Sequence, residues 1–459
     1  MSGEVRTRRS TVLGQLGWVL YQFAGSPYFV IINIFVFSAY FQKSVVGDSV
    51  QGQVIWGYTQ AAAGVLIALC SPFLGAIADA YGPRKPGLLL FSAIALPAMV
   101  TLWFVTPGNM WLGIAAIVVA AVAMEIALVY HNAMLTSVAS TRNVGFMSGL
   151  AYSLDYIGSV ALFIVWLWLP ALGVLAWFDG DFVHERLSGP LSAIWLVVFS
   201  IPFVVFTHDR DHAGLSLFGA MRKGLAQLRQ TISEARHFRN VGVYLIVRAV
   251  YADGMSAVFT FIAGYLSGIF GWDTAKIGIF ALIVLTVPVF TSFIGGFVDD
   301  RIGSKRTIQI GLLMFTIGVA GSVSTTPNEY LFFFPVTDAL RDQQLPVLGS
   351  MMNLFGFTLF PEQVSLAFAM LGGVFVGPIL ASSRTMVARI APHEMISEAY
   401  GLYTLTGKAT AFAAPFLVAV VTAATQSQRA GFAVILVFLV LGLVGLSWVR
   451  EERAVLAPR

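Results

Sequence analysis

Apolar runs of membrane-crossing length recur along the whole chain and are separated by short polar segments. A helix needs about 20 consecutive apolar residues to cross the hydrocarbon core of a bilayer, and most of these runs approach that length. The chain is therefore expected to be an all-α membrane protein. The pattern predicts twelve transmembrane helices, roughly at 17–41, 54–78, 87–106, 110–134, 148–171, 191–206, 241–268, 276–298, 307–326, 364–388, 399–424 and 430–449.

Two longer connections interrupt this regular alternation. Residues 207–240 carry basic residues spaced around an amphipathic pattern, which predicts an interfacial helix; a bare solvated linker is the alternative. This cytoplasmic linker divides the chain into six-helix bundles at 1–206 and 241–459. The second connection, 327–363, is unusually apolar and is expected either to lie at the membrane surface or to re-enter it.

Composition agrees with a membrane protein and excludes several other classes. Hydrophobic residues make up 58% of the 459 residues and charged residues only 11%, too few to solvate a soluble protein of this length. The single cysteine, Cys70, lies in an apolar run, so neither an intrachain disulfide nor a cysteine metal cluster can form. A pI near 9.1 would suit nucleic-acid binding, but the location of the positive charges argues against a nucleic-acid partner.

The positive charges lie mainly on one side of the predicted membrane. With the N-terminus in the cytoplasm, twenty Lys and Arg residues fall in cytoplasmic segments and five in outer segments. Because such residues are retained on the cytoplasmic side, this bias places both termini there. The lack of an N-x-S/T sequon suits a bacterial protein. We expect a multi-pass protein of the bacterial inner membrane, in contact with membrane lipid and monomeric by default.

A short polar motif occurs twice, one half-length apart. The pattern G-x-x-x-D-x-x-G-x-[KR]-[KR] fits Gly75–Lys85 and Gly296–Arg306, and the two motif aspartates, Asp79 and Asp300, are 221 residues apart. Each copy follows an apolar run and falls in a predicted cytoplasmic turn. The duplication predicts two pseudo-symmetric halves, an arrangement by which many transporters alternate access to a central site.

The chemistry of this turn suggests a cytoplasmic gate. The first glycine of each copy, Gly75 or Gly296, is expected to permit close helix approach, and the second, Gly82 or Gly303, the tight reversal between spans. The charged residues can pair with a neighbouring helix end and release it when the halves rock. These gate candidates are Asp79, Arg84, Lys85, Asp300, Lys305 and Arg306, together with Lys408. The alternative is a plain positive-inside turn that only sets the topology.

The repeated turn resembles the signature turn of the major facilitator superfamily, and this likeness covers the whole chain. Five other stretches resemble segments of the vacuolar effluxer-like family, which comprises autophagy-related vacuolar amino-acid effluxers and bacterial counterparts. They are Gly17–Tyr28, Val129–Ala133, Tyr251–Gly254, Ser383–Thr385 and Glu398–Lys408. The resemblance implies the major facilitator fold, with two six-helix bundles, and export of a small solute such as a neutral amino acid. Gln22 stands where that family usually has Asp.

Ionisable residues inside the predicted spans are the main candidates for function. Each costs about 2.5–3.5 kcal/mol at the centre of a membrane helix, so we expect them to be paired or to face a water-filled cavity. They are Glu125, Asp155, Arg248, Asp253 and Lys408, and they lie at about the same depth as Tyr21, Gln22, Ser26 and Asn132. Two hypotheses follow: these groups bind a solute and carry a proton, or they form salt bridges that latch the cytoplasmic side.

The first hypothesis assigns a role to each group. Arg248 with Asp253 or Glu125 would supply the cation and the anion that a zwitterionic solute needs. The predicted substrate site consists of Tyr21, Gln22, Ser26, Asn132, Arg248, Tyr251 and Asp253. Three buried acids face two bases, which leaves one carboxylate for reversible protonation. Glu125 is the first candidate, because Asp253 has Arg248 on its own span. Asp155 is a second candidate, although Asp155 and Lys408 also fit a latch.

No nucleotide-binding loop, dinucleotide fingerprint or hydrolase motif is present, and the six histidines are scattered. We therefore expect no cofactor, no metal site and no enzymatic activity. The expected function is secondary active transport of a small organic solute by alternating access, with efflux and proton coupling as further expectations. A non-transporting receptor or assembly factor of the same fold is the alternative.

Overall fold

The computed structural model describes residues 11–81, 83–139, 144–209, 219, 221–222, 239–391 and 396–451. The described residues contain twelve helices that are long and apolar enough to cross a membrane, which confirms the prediction from the hydropathy pattern. No water is available to the backbone inside a bilayer, so each apolar stretch satisfies its own N–H and C=O groups by forming a helix. The predicted interfacial helix of 207–240 lies largely outside the described residues.

We number the membrane spans 1 to 12 in chain order. The first six are Val12–Val45, Ser49–Tyr81, Lys85–Thr101, Met110–Val138, Val144–Trp168 and Ser188–Phe206. The second six are Arg239–Phe270, Thr274–Ile302, Ser304–Val323, Phe360–Ile390, the two helices Ile396–Ala409 and Ala413–Thr425, and Gln428–Gly445. Short helical turns lie at Leu102–Phe104, Val174–Trp177, Val183–Arg186 and Leu446–Trp448.

Span 1 is not a uniform α-helix. It is α-helical at Val12–Pro27 and Val36–Tyr40 and π-helical at Tyr28–Phe35 and Phe41–Val45. The first change of helix type comes directly after Pro27, whose nitrogen has no hydrogen to give to the regular ladder. Short π-helical stretches inside α-helices frequently mark functional sites, and here the stretch adjoins the predicted substrate residues of span 1.

Span 11 consists of two helices, Ile396–Ala409 and Ala413–Thr425, where the hydropathy pattern predicts one. Pro415 accounts for the interruption. A proline lacks the N–H that would bond to the carbonyl four residues earlier, and its ring clashes with that carbonyl. Proline is tolerated in the first turn of a helix, and the second helix accordingly begins two residues before it.

The connection between spans 9 and 10 folds as a hairpin followed by two short helices. The strands Glu329–Tyr330 and Phe334–Pro335 pair antiparallel, with Tyr330 opposite Phe334. The helices are Asp338–Arg341 and Gly349–Leu354. Span 10 then begins earlier than the predicted residue 364, because Pro361 and Glu362 form a favourable first helical turn.

The chain divides into two compact units. Unit 1 comprises Met1–Phe37 and Ala62–Gln230, and unit 2 comprises Ser38–Ala61 and Thr231–Arg459. The stretch Ser38–Ala61 thus groups with unit 2, whereas the predicted boundary at 206 places it in the first bundle. The boundaries of the two bundles and the linker stay a prediction.

Each unit repeats the same internal packing. In unit 1, span 1 packs against spans 5 and 6, and span 3 packs against span 4. In unit 2, span 7 packs against spans 11 and 12, and span 10 packs against spans 8 and 9. The first span of each half therefore packs against the last two spans of its own half, as expected of two related six-helix bundles.

Spans 1 and 5 approach each other closely at Gly158. A Cβ atom at Gly158 would overlap the carbonyl oxygen of Phe23 and lie 3.1 Å from its carbonyl carbon. Because both neighbours are backbone atoms, they cannot rotate away. Small residues at helix interfaces allow backbones to approach this closely in membrane proteins.

We expect Gly158→Ala to lower the melting temperature of the purified protein. The added methyl group must push spans 1 and 5 apart, and overpacking of this kind costs about 1–3 kcal/mol. The matched control is Gly149→Ala on the same helix, where a Cβ meets no atom within 4 Å. Alanine favours a helix over glycine by about 1 kcal/mol, so the control should be neutral or slightly stabilising. Equal melting temperatures for the two variants would contradict this contact.

Candidate functional site

The first motif turn is attached to the end of span 6. The backbone N–H groups of Arg84 and Lys85 both donate to Asp209 Oδ2, over 2.6 Å each. Lys85 Nζ donates to the carbonyl oxygens of Val204 (2.6 Å) and Thr207 (2.8 Å). One carboxylate and one ammonium group therefore hold the start of span 3 against the end of span 6.

The second motif turn repeats this arrangement at the end of span 12. The backbone N–H groups of Ser304 and Lys305 donate to the two carboxylate oxygens of Glu451 over 2.9 and 3.0 Å. Lys305 Nζ donates to the carbonyl oxygens of Ser447 (3.2 Å) and Val449 (2.8 Å). We call Asp209 and Glu451 the acid clamps of the two turns.

The second turn carries an additional ion-pair cluster. Arg389 Nη2 lies 2.8 Å from Asp299 Oδ2, and Arg389 Nη1 lies 2.9 Å from Glu451 Oε1. The predicted gate residue Asp300 is peripheral to this cluster, because its side chain is 81% exposed and lies 3.7 Å from Arg389. The buried acid of the turn is its neighbour Asp299.

Burial alone would raise the pKa of Glu451, but three sets of hydrogen bonds oppose that effect. Arg389 and the backbone N–H groups of Lys305 and Ser304 stabilise the charged form, so the pKa of Glu451 is held below its ordinary value of 4.5. Neither acid clamp is predicted by the sequence motif. A usable signal exists, since Asp209 and Glu451 each follow the last helical residue of their half by three positions.

The motif glycines behave differently from one another. Gly303 has a φ of +94°, a conformation that glycine adopts without strain, and it directly precedes span 9. The expected close helix approach at Gly296 is not present, because a Cβ there meets nothing within 4 Å of the described structure. The adjacent Gly295 makes that approach instead, with a Cβ position 2.7 Å from Pro378 Cα. At Gly75 the nearest atom is at an ordinary contact distance of 3.5 Å.

The remaining gate candidates are less informative. Gly82 lies outside the described residues, and so does the side chain of Asp79 at the end of span 2. Arg84 is buried and donates to the carbonyl oxygen of Ala133 on span 4. Arg306 is exposed, and Lys408 is half-buried near the end of the first helix of span 11.

Unit 1 contains a narrow pocket where several predicted residues meet. Its empty volume is about 240 Å³, including the solvent at its mouth. Spans 1, 4 and 5 supply the lining, which consists of Tyr21, Gln22, Gly25, Ser26, Phe29, Met124, Leu128 and Asp155. Four of the residues predicted to lie at one depth, Tyr21, Gln22, Ser26 and Asp155, thus line this pocket.

Three separate hydrogen bonds involve the polar residues that line this pocket. Gln22 Nε2 donates to Asp155 Oδ1 over 2.9 Å, so a neutral amide is the partner of this carboxylate, and no ion pair of Asp155 occurs among the described residues. The hydroxyl groups of Tyr21 and Ser92 share a hydrogen bond of 2.7 Å. Ser26 Oγ bonds within span 1 to the carbonyl oxygen of Phe23.

Span 4 contributes one expected group and one unexpected group near this network. Glu125 acts electrostatically on Tyr28, whose buried hydroxyl has no hydrogen-bond partner among the described residues. His131 is fully buried and exchanges hydrogen bonds with Trp18: Nε2 donates to the Trp18 carbonyl (2.8 Å), and Trp18 Nε1 donates to the His131 carbonyl (3.0 Å). Asn132, by contrast, is exposed.

The polar residues of unit 2 form a second group around span 7. Tyr244 donates to the carbonyl oxygen of Ser383, and the hydroxyl groups of Tyr251 and Ser383 share a hydrogen bond of 2.7 Å. The guanidinium carbon of Arg248 lies 3.7 Å from the ring centroid of Tyr403, and Nη1 donates to the carbonyl oxygen of that residue. Arg248 therefore stacks on span 11.

The predicted pairing of Asp253 with Arg248 is wrong. Five residues separate them on one helix, whereas side chains meet at spacings of three or four. Asp253 Oδ2 instead accepts the backbone N–H of Ala414 over 2.9 Å, which caps the second helix of span 11. Asp253 Oδ1 is buried without a partner among the described residues. The acid that lacks a cation at this level of unit 2 is thus Asp253.

Comparison with known proteins identifies the family. The sequence profile of the Major Facilitator Superfamily matches residues 56–337, more than half of the chain. The chain belongs to the Major Facilitator Superfamily. A second profile, described as Vacuole effluxer Atg22 like, matches residues 345–457. Both likenesses drawn from the sequence are confirmed.

Relatives and a solved structure agree with this assignment. The chain is 27% identical over 452 residues to the uncharacterized MFS-type transporter YxiO of Bacillus subtilis (strain 168), covering 95% of this chain and 94% of that protein. It is 23% identical over 314 residues to Autophagy-related protein 22 of Cryptococcus neoformans var. neoformans serotype D (strain JEC21 / ATCC MYA-565), covering 68% of this chain. That alignment spans 49%, about half, of the fungal protein.

The fold is that of a transporter. A solved structure of a D-xylose-proton symporter superimposes with a TM-score of 0.64 over 96% of this chain and 98% of the symporter, at 12% identity. Superfamily membership and fold together indicate a secondary transporter of a small-molecule solute rather than an enzyme. Among the described residues no group of three or more His, Cys, Asp or Glu side chains could hold a metal ion.

We expect Glu451→Gln to destabilise the protein in a pH-dependent way. A lost hydrogen-bond set to a charged group costs about 1–3 kcal/mol. Because the folded pKa is depressed, the stabilisation is present above the ordinary carboxyl pKa and disappears as the pH falls through the depressed value. The melting temperatures of the variant and the parent should therefore differ near neutral pH and converge only when the pH has fallen below the depressed pKa of Glu451. Asp300→Asn, at the exposed acid, is the matched control; a difference that persists in acid would rule out the charge as its cause.

Proposed function

We propose that this superfamily member exports a small zwitterionic solute, such as a neutral amino acid, by alternating access coupled to protons. The observation that carries the proposal is the position of Asp155 in the wall of a membrane-embedded pocket, with the neutral Gln22 as its hydrogen-bond partner. An acid inside a membrane is costly to retain and is a functional candidate by default. With no cation bound to it among the residues that the structure describes, this carboxyl group is a candidate to take up and release a proton.

The lining of the pocket supports a small, partly apolar solute. Tyr21, Gln22 and Ser26 contribute hydrogen-bonding groups to the lining, and Phe29 and Met124 contribute apolar contacts. We assign the first three residues, with Asn132 as an exposed neighbour, to solute binding.

The polar group around span 7 supports binding of the two charged groups of a zwitterionic solute. Arg248 is half-buried and fixed by stacking on Tyr403, so it offers a positioned guanidinium group for a carboxylate. Asp253 keeps one carboxylate oxygen without a partner among the described residues, which suits an ammonium group. We assign Arg248, Tyr251 and Asp253 to solute binding. The profile described as Vacuole effluxer Atg22 like supports the outward direction.

Uptake and release by proteoliposomes test the function itself. We expect neutral amino acids to move across the membrane faster than acidic, basic or sugar compounds, because one cation and one anion partner match a zwitterion. A pH gradient should drive accumulation against the solute gradient. If no compound of the panel moves and the protein instead copurifies in a stable complex with another membrane protein, a receptor or assembly factor is the better interpretation.

We expect Asp155→Asn and Glu125→Gln each to abolish accumulation driven by a pH gradient, because neither amide can carry a proton. Exchange of labelled for unlabelled solute needs no net proton movement, so it should continue in both variants. Asp179→Asn, in an exposed loop of the same unit, is the control and should behave as the parent. An unchanged pH dependence of flux in either variant would remove that residue from the coupling role.

A further inference from the structure

The connection between spans 9 and 10 presents large apolar side chains to its surroundings. Phe333 is 84% exposed, Val347 is 97% exposed and Leu354 is 85% exposed. A protein surface in water rarely keeps so large an apolar area. We call these residues, with the hairpin residues Leu331, Phe332 and Phe334 beside them, the outer apolar surface.

The backbone is held in an unfavourable conformation to display this surface. Leu331, Phe332 and Val347 have positive φ angles of 52°, 67° and 69°. Bulky residues rarely adopt this left-handed conformation, because the Cβ atom approaches the backbone carbonyl. Such strain persists only where the surrounding structure enforces it and is often connected with function.

The hairpin is fixed to the ends of two spans of its own unit. Arg429, the second residue of span 12, pairs with Glu329 and lies 4.5 Å from the ring centroid of Phe332. Its Nε donates over 2.8 Å to the carbonyl oxygen of Val323, the last residue of span 9. The hairpin therefore lies at the level where these spans end.

The rest of the outer apolar surface is fixed at the start of span 10. Gln363, a buried residue in the first turn of that span, accepts the backbone N–H of Leu345 over 2.7 Å. Its Nε2 donates to the carbonyl oxygen of Phe357 over 2.8 Å. Val347 and Leu354 lie in the stretch between these two attachment points, so they too are held near the end of a span.

Span 9, Ser304–Val323, has 20 residues, about the number that crosses the hydrocarbon core, so its end at Val323 lies near the boundary between lipid tails and headgroups. Aromatic and aliphatic side chains are favoured at this boundary, since they bury apolar area there without entering as a full span. The connection follows an odd-numbered span, whereas the motif turns follow even-numbered spans, so it lies at the opposite membrane face. The segment Leu331–Pro335 has no charged residue, and the exposed Asp338 and Asp342 lie between the two apolar parts.

We propose that the outer apolar surface docks onto lipid, with Phe333, Val347 and Leu354 inserted at the headgroup–acyl boundary of the face opposite the motif turns. A bilayer fits this surface better than a folded partner, because the tips come from two separate segments, each attached at a span end, rather than from one continuous groove. The inference is independent of the solute that the protein carries. It requires only that the twelve helices span the membrane.

Site-directed spin labelling tests this docking. In a Cys70→Ala parent, Phe333→Cys, Val347→Cys and Leu354→Cys each receive one nitroxide and are reconstituted at low density into phosphatidylcholine vesicles. Collision with oxygen, which concentrates in lipid, is compared with collision with a water-soluble nickel chelate. Phe290→Cys, at a 67% exposed position of span 8, gives the lipid reference, and Asp342→Cys gives the water reference.

We expect all three labels to show an oxygen-to-nickel collision ratio close to that of the Phe290 position and several-fold above that of the Asp342 position. A ratio like that of Asp342 overturns the proposal. Labels that neither reagent reaches also overturn it, and spin–spin broadening that grows with protein density would then identify a second copy of the chain as the occupant. The positions are exposed, so folding should be retained; a melting temperature equal to that of the parent verifies this for each variant, and variants that pass decide the outcome.

Discussion

Carboxylates from elsewhere in the chain accept the main-chain N–H groups at three helix starts of this protein. The first N–H groups of a helix have no partner inside the helix and together carry a partial positive charge. Asp209 serves the start of span 3, Glu451 the start of span 9, and Asp253 the second helix of span 11. In each case the acid comes from a different helix or connection. At these three helix starts a carboxylate from another part of the chain supplies the partner that the first main-chain N–H groups lack.

The two acid clamps lie outside the motif and attach the motif turns to the rest of their halves. Each clamp attaches its turn to the end of the last span of the same half, so turn and span are expected to move together. The contacts of the second turn are shifted by one residue relative to those of the first turn when the two copies of the motif are aligned. The pattern pairs Lys85 with Arg306, but the lysine that bonds to the carbonyl oxygens of the last span is Lys305 in the second half. The two halves therefore preserve the contact between a lysine and the end of the last span, but not the position of that lysine within the motif.

Much of the fold could be predicted from the sequence, and less of the site. Hydropathy and the duplicated turn predict twelve helices and two related bundles because both signals are local. Depth along the helices also brought Gln22 and Asp155 to one level, where they bond. Which charged residues pair with one another depends on contacts between distant parts of the chain. The neighbours Asp299 and Asp300 differ in burial alone, and no count along the chain distinguishes which one faces Arg389.

Counting charges failed for a related reason. It paired Arg248 with an acid on its own span, although stacking on an aromatic ring and a carbonyl oxygen satisfied the guanidinium group instead. Neutral partners of this kind do not appear in a balance of acids and bases. The break in span 11 was missed because its proline lies within an otherwise continuous apolar run.

The π-helical stretch Tyr28–Phe35 has a consequence for comparing this chain with its relatives. Successive residues of an α-helix are rotated by about 100°, and each extra residue taken up by wider turns rotates every later side chain by a similar angle. A helical wheel drawn through all of span 1 would therefore misplace the buried Ser38 and Gln42 relative to Tyr21 and Gln22. A relative with one residue fewer in this stretch would form a regular α-helix there and could keep both sets of polar side chains in place. In a sequence alignment the difference would show only as a gap of one residue.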